Sequence, residues 1–228
     1  MYTASLQAPA HSEPFLIGVA GPSCAGKGEL SRRLAAALGA AIVSLDSYYR
    51  DLAHLPMEER ARSNFDVPAA LDEELLAAHL RLLAEGREVE IPVYDFARHV
   101  RSREVHKVRP GAFIIVEGLF ALYWEAVREL LDLKVFVDAA DEVCLRRRIE
   151  RDVRERDRTP DSVIGQYRTS VHPMARQYIL PTRMFADLLI DGNGPLEDSV
   201  AQVLARIRGV SAGDGPRKDT AESSSPDC

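Results

Sequence analysis

The chain has 228 residues, 46% hydrophobic and 28% charged, with a formal net charge of −6 at pH 7. That length supports one sizeable core or two small domains, and the composition is that of an ordinary globular protein. The negative balance argues against a general nucleic-acid role, so any anion site must be a local basic pocket; no apolar run approaches the ~18 residues of a membrane span.

The opening "MYTASLQAPAHSEP" has no basic cluster followed by an apolar core, so no secretory signal is expected. Residues 1–13 and 210–228 read as disordered flanks of a single domain over 14–209, the tail being rich in Ser, Asp, Gly and Pro. Cys24, Cys144 and Cys228 are odd in number and show no ligand spacing. That fits a cytoplasmic, reducing setting and speaks against a disulfide framework or a structural zinc site.

The first predicted element is a buried strand, "FLIGVAG" (15–21), followed by "PSCAGKGEL" and a helix over 27–39. Gly21, Pro22, Ser23, Cys24, Ala25, Gly26 and Lys27 fill the first seven places of the phosphate-loop pattern G-x-x-x-x-G-K-[ST], between a strand and a helix as that pattern requires. Its glycines let backbone N–H groups curl around phosphate oxygens, the helix N-terminus adds a favourable dipole, and Lys27 reaches the β/γ-phosphates. Gly28 departs from the pattern, because the eighth residue ordinarily supplies a hydroxyl to magnesium. Cys24 lies where a thiol pKa tends to fall, but a small side chain at a tolerant loop position is the preferred reading.

A second strand, "AAIVSLD" (40–46), ends on Asp46, a candidate general base. A helix over 71–84 follows, and "REVEIPVYDFARHVRSREVHKVRP" (87–110) reads as a β-hairpin flap. Strand "AFIIVEG" (112–118) places Glu117 as a metal-orienting carboxylate; an acid after a strand is otherwise often a turn or cap. Strand "LKVFVD" (133–138) and a helix over 141–156 come next, then a helix over 161–179, strand "ADLLID" (186–191) and a helix over 195–208. Continuous apolar strands alternating with amphipathic helices predict an α/β fold around a five-stranded parallel sheet. Its ligand site lies beyond the carboxyl ends of the strands.

The run "RRRIERDVRERDR" (146–158) holds seven arginines and four acids. Pairs four apart, such as Arg148 with Asp152, Glu150 with Arg154, Arg151 with Glu155 and Asp152 with Arg156, would suit an exposed helix. Beside the loop, the same run suits a lid over a triphosphate. A guanine-reading Asn-Lys-x-Asp is missing, since neither Asn64 nor Asn193 precedes lysine.

The blocks "GPSCAGKGEL", "LDSYYRDL", "NFDVPAALD", "IPVYDFARHVR", "IIVEGLFAL", "DLKVFVDA", "RRRIERDVRERDR" and "SVIGQYRTSVHPM", in that order, resemble the uridine-cytidine kinase family from about residue 15 to 190. The resemblance implies transfer of the ATP (sometimes GTP) γ-phosphate to the 5′-hydroxyl of uridine or cytidine, with magnesium. It implies Asp46 as base and metal ligand, Glu117 as second metal carboxylate, and Asp66, Arg148 and Gln166 as ribose contacts. Tyr94 and His99 would read the pyrimidine, with Phe96 packing on it and Arg158 nearby; Arg151 and Arg156 would belong to a phosphate lid. It also implies a homotetramer and feedback by pyrimidine triphosphates. Val67 stands where the family usually has histidine, and "DGNGPLED" matches its adenine segment poorly, which leaves the ATP/GTP preference open. Two further readings stand beside it: an inert nucleotide-binding module, favoured by Gly28, and a kinase for another hydroxylated metabolite.

Overall fold

A computed structural model describes residues 13–212; the terminal stretches expected to be disordered, and Cys228 with them, lie almost wholly outside that range. Five strands form the parallel sheet: β1 (Phe15–Ala20), β2 (Ala41–Ser44), β5 (Phe113–Glu117), β6 (Leu133–Asp138) and β7 (Leu188–Asp191), in the order β2-β5-β1-β6-β7. β1 is central and buried at every position, as its unbroken apolar run requires. Its side chains alternate between two cores. Leu16 and Ala20 pack with α3 (Glu73–Ala84), whereas Phe15, Ile17 and Val19 pack with α1 (Lys27–Leu38) and α8 (Leu196–Ala212). Burial of such large side chains contributes on the order of 1.5–3 kcal/mol each.

The predicted elements are present, with shifted ends that matter. β2 stops at Ser44 because residues Leu45–Tyr48 coil into a 3₁₀ turn, in which the Ser44 hydroxyl accepts from the Asp46 N–H at 3.3 Å. Asp46 thus sits in a turn beyond the strand rather than at its end. Helix α3 begins after Asp72, whose carboxylate caps it by accepting from the Leu75 N–H. A short α2 (Met57–Arg62) and α4 (Glu125–Arg128), both absent from the sequence reading, fill the connections.

The flap is a hairpin of β3 (Val89–Asp95) and β4 (Val100–Val108), with its register broken between Pro92 and Tyr94. Pro92 has no N–H to donate to the ladder, which explains the irregularity. Arg101 ties the hairpin to the sheet: it donates to the Tyr48 and Tyr49 carbonyls and to Asp72.

After α5 (Asp141–Arg156), the predicted helix over 161–179 is interrupted. It runs as α6 (Pro160–Gln166), a wide π turn (Tyr167–Val171), α7 (His172–Met174) and a second π turn (Ala175–Ile179). Pro173 lacks a donor and crowds the preceding turn, so the helix widens around it.

The phosphate loop follows β1 directly. At Gly21 φ is 145°, and a Cβ there would lie 2.2 Å from the Val137 carbonyl oxygen. Gly21→Ala is therefore expected to cost about 2–4 kcal/mol, combining backbone strain with a clash against β6. Urea unfolding should show a lowered midpoint with little change in slope.

Candidate active site

Every strand of the sheet delivers something to one edge. The loop 21–27 leaves β1, Asp46 follows β2, Glu117 ends β5, Asp138 ends β6 and Gly192 follows β7. In the loop, Gly26 adopts φ 113° and Cys24 φ 66°, so the chain curls with its amides turned inward. Lys27 is buried, and its Nζ donates to the Pro22 carbonyl at 2.9 Å. Arg148 of α5 donates to the Ser23 hydroxyl at 2.9 Å, and Arg147 to the carbonyls of Cys24 and Ala25 at 3.4 Å each. The loop is thereby clamped to α5. Gly28 is exposed, and a Cβ there would meet nothing within 4 Å. Space does not explain the glycine.

Asp46 opens onto the cleft, yet protein crowds it closely. That desolvation pushes its pKa above the ordinary aspartate value, while Lys27, Arg156 and Arg151 pull the other way. Burial raises Glu117 too; Lys27 opposes, Asp46 adds to the rise and Arg32 lowers it. The two carboxylates thus share one electrostatic neighbourhood with the loop lysine. Neither forms an ion pair among the described residues, and no group of three or more His, Cys, Asp or Glu gathers into a metal cluster there. Two carboxylates beside a phosphate loop fit magnesium, which takes one or two such ligands and keeps waters and phosphate oxygens for the rest.

A cleft of about 380 Å³ runs from Ser44, Asp46 and Ser47 to the flap residues Tyr94, Phe96 and His106. The Tyr94 hydroxyl is buried without a hydrogen-bond partner, and burial pushes its pKa up to about 12. Its ring lies 5.2 Å from Phe96 and 5.3 Å from Tyr49; Tyr49 in turn meets Phe65, on which His99 stacks at 4.7 Å. His99 holds φ 55° and stacks on Phe65; it is not among the residues lining the cleft.

Asp66 lies within 3.5 Å of the Ser170 hydroxyl. Burial raises its pKa; Arg148 and Ser170 lower it, and Asp46 raises it further. Gln166 accepts from both Arg148 and Arg158. Arg151, Arg156 and Arg158 converge with Arg148 on Asp152, whose side chain is 0% exposed. This corrects the exposed-helix reading of the arginine run. Arg148–Asp152 pairs in the interior, Arg156 reaches the same enclosed carboxylate from a half-exposed position, and Arg154 pairs with its neighbour Glu155.

Tyr49, Phe65, Arg147, Asp152 and Ser170 join the site without having been singled out for it. Tyr49 and Phe65 stand inside the blocks "LDSYYRDL" and "NFDVP", and their aromatic character beside Asp46 and Asp66 was the available signal. Ser170 and Arg147 carried none.

A loop of this kind on a parallel sheet, with facing carboxylates and converging arginines, defines a phosphate-loop phosphotransferase architecture. Residues 16–196 match the model of the phosphoribulokinase / uridine kinase family, and the chain belongs to that family. It is 44% identical over 201 residues to a uridine kinase of Deinococcus deserti, covering 87% of this chain and 97% of that protein. It is 46% identical over 179 residues to a uridine kinase of Lactococcus lactis, covering 77% and 87%. In fold it is similar to phosphoribulokinase from Rhodobacter spheroides (TM-score 0.57, 16% identity, 82% of this chain and 75% of that one). No helix among the described residues is long and apolar enough to cross a membrane.

Asp66→Asn should raise stability at neutral pH, since the folded chain holds an aspartate there whose ionised form is disfavoured. The raised pKa fixes the sign: the gain is full above the folded pKa and vanishes as pH falls below the ordinary aspartate value. Thermal melts of both proteins across that range would check it.

Proposed function

We propose that the protein transfers the γ-phosphate of ATP to the 5′-hydroxyl of uridine, and of cytidine, in the cytoplasm. The observation that carries this reading is the cleft joining Asp46 to the Tyr94–Phe96 face, because it sets a sugar alcohol between a carboxylate and an aromatic wall. The relatives named uridine kinase support the choice of substrate.

In this reading a pyrimidine packs against Tyr94 and Phe96, and the buried Tyr94 hydroxyl supplies the hydrogen bond it lacks in the free protein. Asp66 accepts from the ribose hydroxyls, and Arg148 with Gln166 closes that side. The Asp46 carboxylate takes the 5′-hydroxyl proton as the oxygen attacks the γ-phosphorus; the bond to the β-phosphate oxygen breaks, and ADP leaves. Amides of Ser23 to Lys27 and the Lys27 ammonium hold the phosphates, while Arg151 and Arg156 meet the charge on the moving phosphoryl group. Asp46 and Glu117 would hold magnesium, which when bound neutralises β- and γ-phosphate charge. The donor base, of ATP or GTP, would occupy a separate cleft of about 310 Å³ lined by Ala25, Leu30, Arg147 and Ile190. A homo-oligomer, a tetramer by resemblance, belongs to the same reading.

Mixing the protein with uridine, ATP and magnesium should release ADP in a uridine-dependent manner. Nucleotide binding without that release would overturn the assignment. Asp46→Asn is expected to lower kcat by about 10²–10⁴-fold, the usual scale for a general base, and to leave ATP affinity nearly unchanged. For Gly28→Ser, where the added hydroxyl has room, the magnesium concentration giving half-maximal rate should fall. An unchanged dependence would mean that a water already serves in place of the hydroxyl.

A further inference from the structure

We propose that Asp152 is a positioning residue, one that assembles the phosphate-facing arginines before the donor binds and then competes with its phosphates for two of them. The proposal rests on the phosphotransfer reading above for what those arginines do.

Its basis is an imbalance. A structural ion pair needs one guanidinium, whereas the fully enclosed Asp152 carboxylate gathers four. Arg151 donates through Nε to Oδ1 at 2.8 Å, with its Nη2 also at 2.8 Å. Arg156 stands 3.6 Å from Oδ1, and Arg148 and Arg158 each stand 3.6 Å from Oδ2. Neither Oδ2 nor the Arg148 Nε has a hydrogen-bond partner, though both are buried. Asp152 thus hydrogen-bonds one guanidinium, that of Arg151, and draws the other three by charge at longer range.

The backbone is arranged to produce this. Arg148 and Arg156 lie four residues before and after Asp152, on the same face of α5. Arg158 would be carried past that face if the helix continued. Instead Asp157 takes a left-handed conformation, φ 51°, and the N–H groups of Asp157 and Arg158 return to the Asp152 carbonyl. The reversal swings Arg158 back to the carboxylate of the residue that caps the turn. Asp152 thus ends the helix with its carbonyl and collects the arginines with its side chain.

The collected arginines already face the site. Arg148 holds the loop through Ser23, and Arg158 reaches Gln166 and Ser162. Arg151 and Arg156 both act on the Asp46 carboxyl. A polyanion entering above the loop finds four guanidiniums balanced by one carboxylate. Arg156, half exposed and without a hydrogen bond to Asp152, can turn to phosphate; Arg158 can do so by giving up its bonds to Gln166 and Ser162. Arg151 stays bound to Oδ1 and keeps its orientation.

Asp152→Asn removes the anion and keeps the shape. Two quantities should then move in opposite directions. Affinity for the magnesium complex of adenosine 5′-(β,γ-imido)triphosphate, measured calorimetrically without uridine, should tighten about fivefold, because a carboxylate opposing the phosphates is gone. The kcat for uridine should fall about a hundredfold, the scale that a small misplacement at the reacting centre costs. A purely structural residue would weaken both together, and that result, or no change in either, overturns the proposal. If the variant does not fold, ¹⁵N spectra of the wild-type arginine Nε–H groups decide instead. Slow exchange at Arg151 both free and with the analogue, and at Arg156 only with it, is expected; loss of protection at Arg151 on binding would overturn it. The binding and exchange measurements need no uridine, so they stay readable even if uridine-dependent turnover fails.

Discussion

Nine charges of both signs must coexist at one edge of the sheet. Lys27, Arg148, Arg151, Arg156 and Arg158 approach from the loop and from α5 and its end; Glu117 approaches from the end of β5, Asp46 from the turn after β2, Asp66 from the loop after α2, and Asp152 from α5 itself. Near a protein surface two unit charges 4 Å apart interact by about 4 kcal/mol, a large fraction of the 5–15 kcal/mol that holds a typical domain together. Such a set is tolerated only if the signs interleave. The fold achieves this by setting Glu117 at a strand end, Asp46 and Asp66 in the turns and loops beyond the sheet, and the guanidiniums on and just after α5, with Asp152 among them.

That constraint has a chemical use. Because the carboxylates are crowded by protein, Asp46, Asp66 and Glu117 are less acidic than free carboxylic acids, while the neighbouring cations oppose that rise. A carboxylate with a raised pKa is a better proton acceptor. The arginines, for their part, are presented together rather than recruited one by one, which lowers the entropy cost of gathering them.

The hairpin and the turn at Asp46 supply the other half of the site. Arg101 fastens the hairpin to the carbonyls of Tyr48 and Tyr49, so the wall carrying Tyr94 and Phe96 is tied to the 3₁₀ turn carrying Asp46. The positions of the aromatic wall and of Asp46 are thereby coupled through one guanidinium. Gly28 is the local exception to an otherwise complete loop. The open space around it shows that packing does not demand glycine there.

The order of strands and helices, the loop and the hairpin could be read from the chain, because apolar runs, glycine spacing and periodicity are local properties. That Asp46, Glu117 and the loop would lie at the carboxyl edge of the sheet was also legible, because each stands at or just after the end of an apolar run in the chain. The interior of the arginine run was not. Residues four apart on a helix look alike whether they face water or core, and only the packing of α5 against the loop decided that Asp152 would be enclosed. The π-widened helix around Pro173, the left-handed turn at Asp157 and the stacking of His99 on Phe65 were likewise set in three dimensions. Each depends on contacts between segments far apart in the chain, and no short stretch of sequence carries the energy of such a contact.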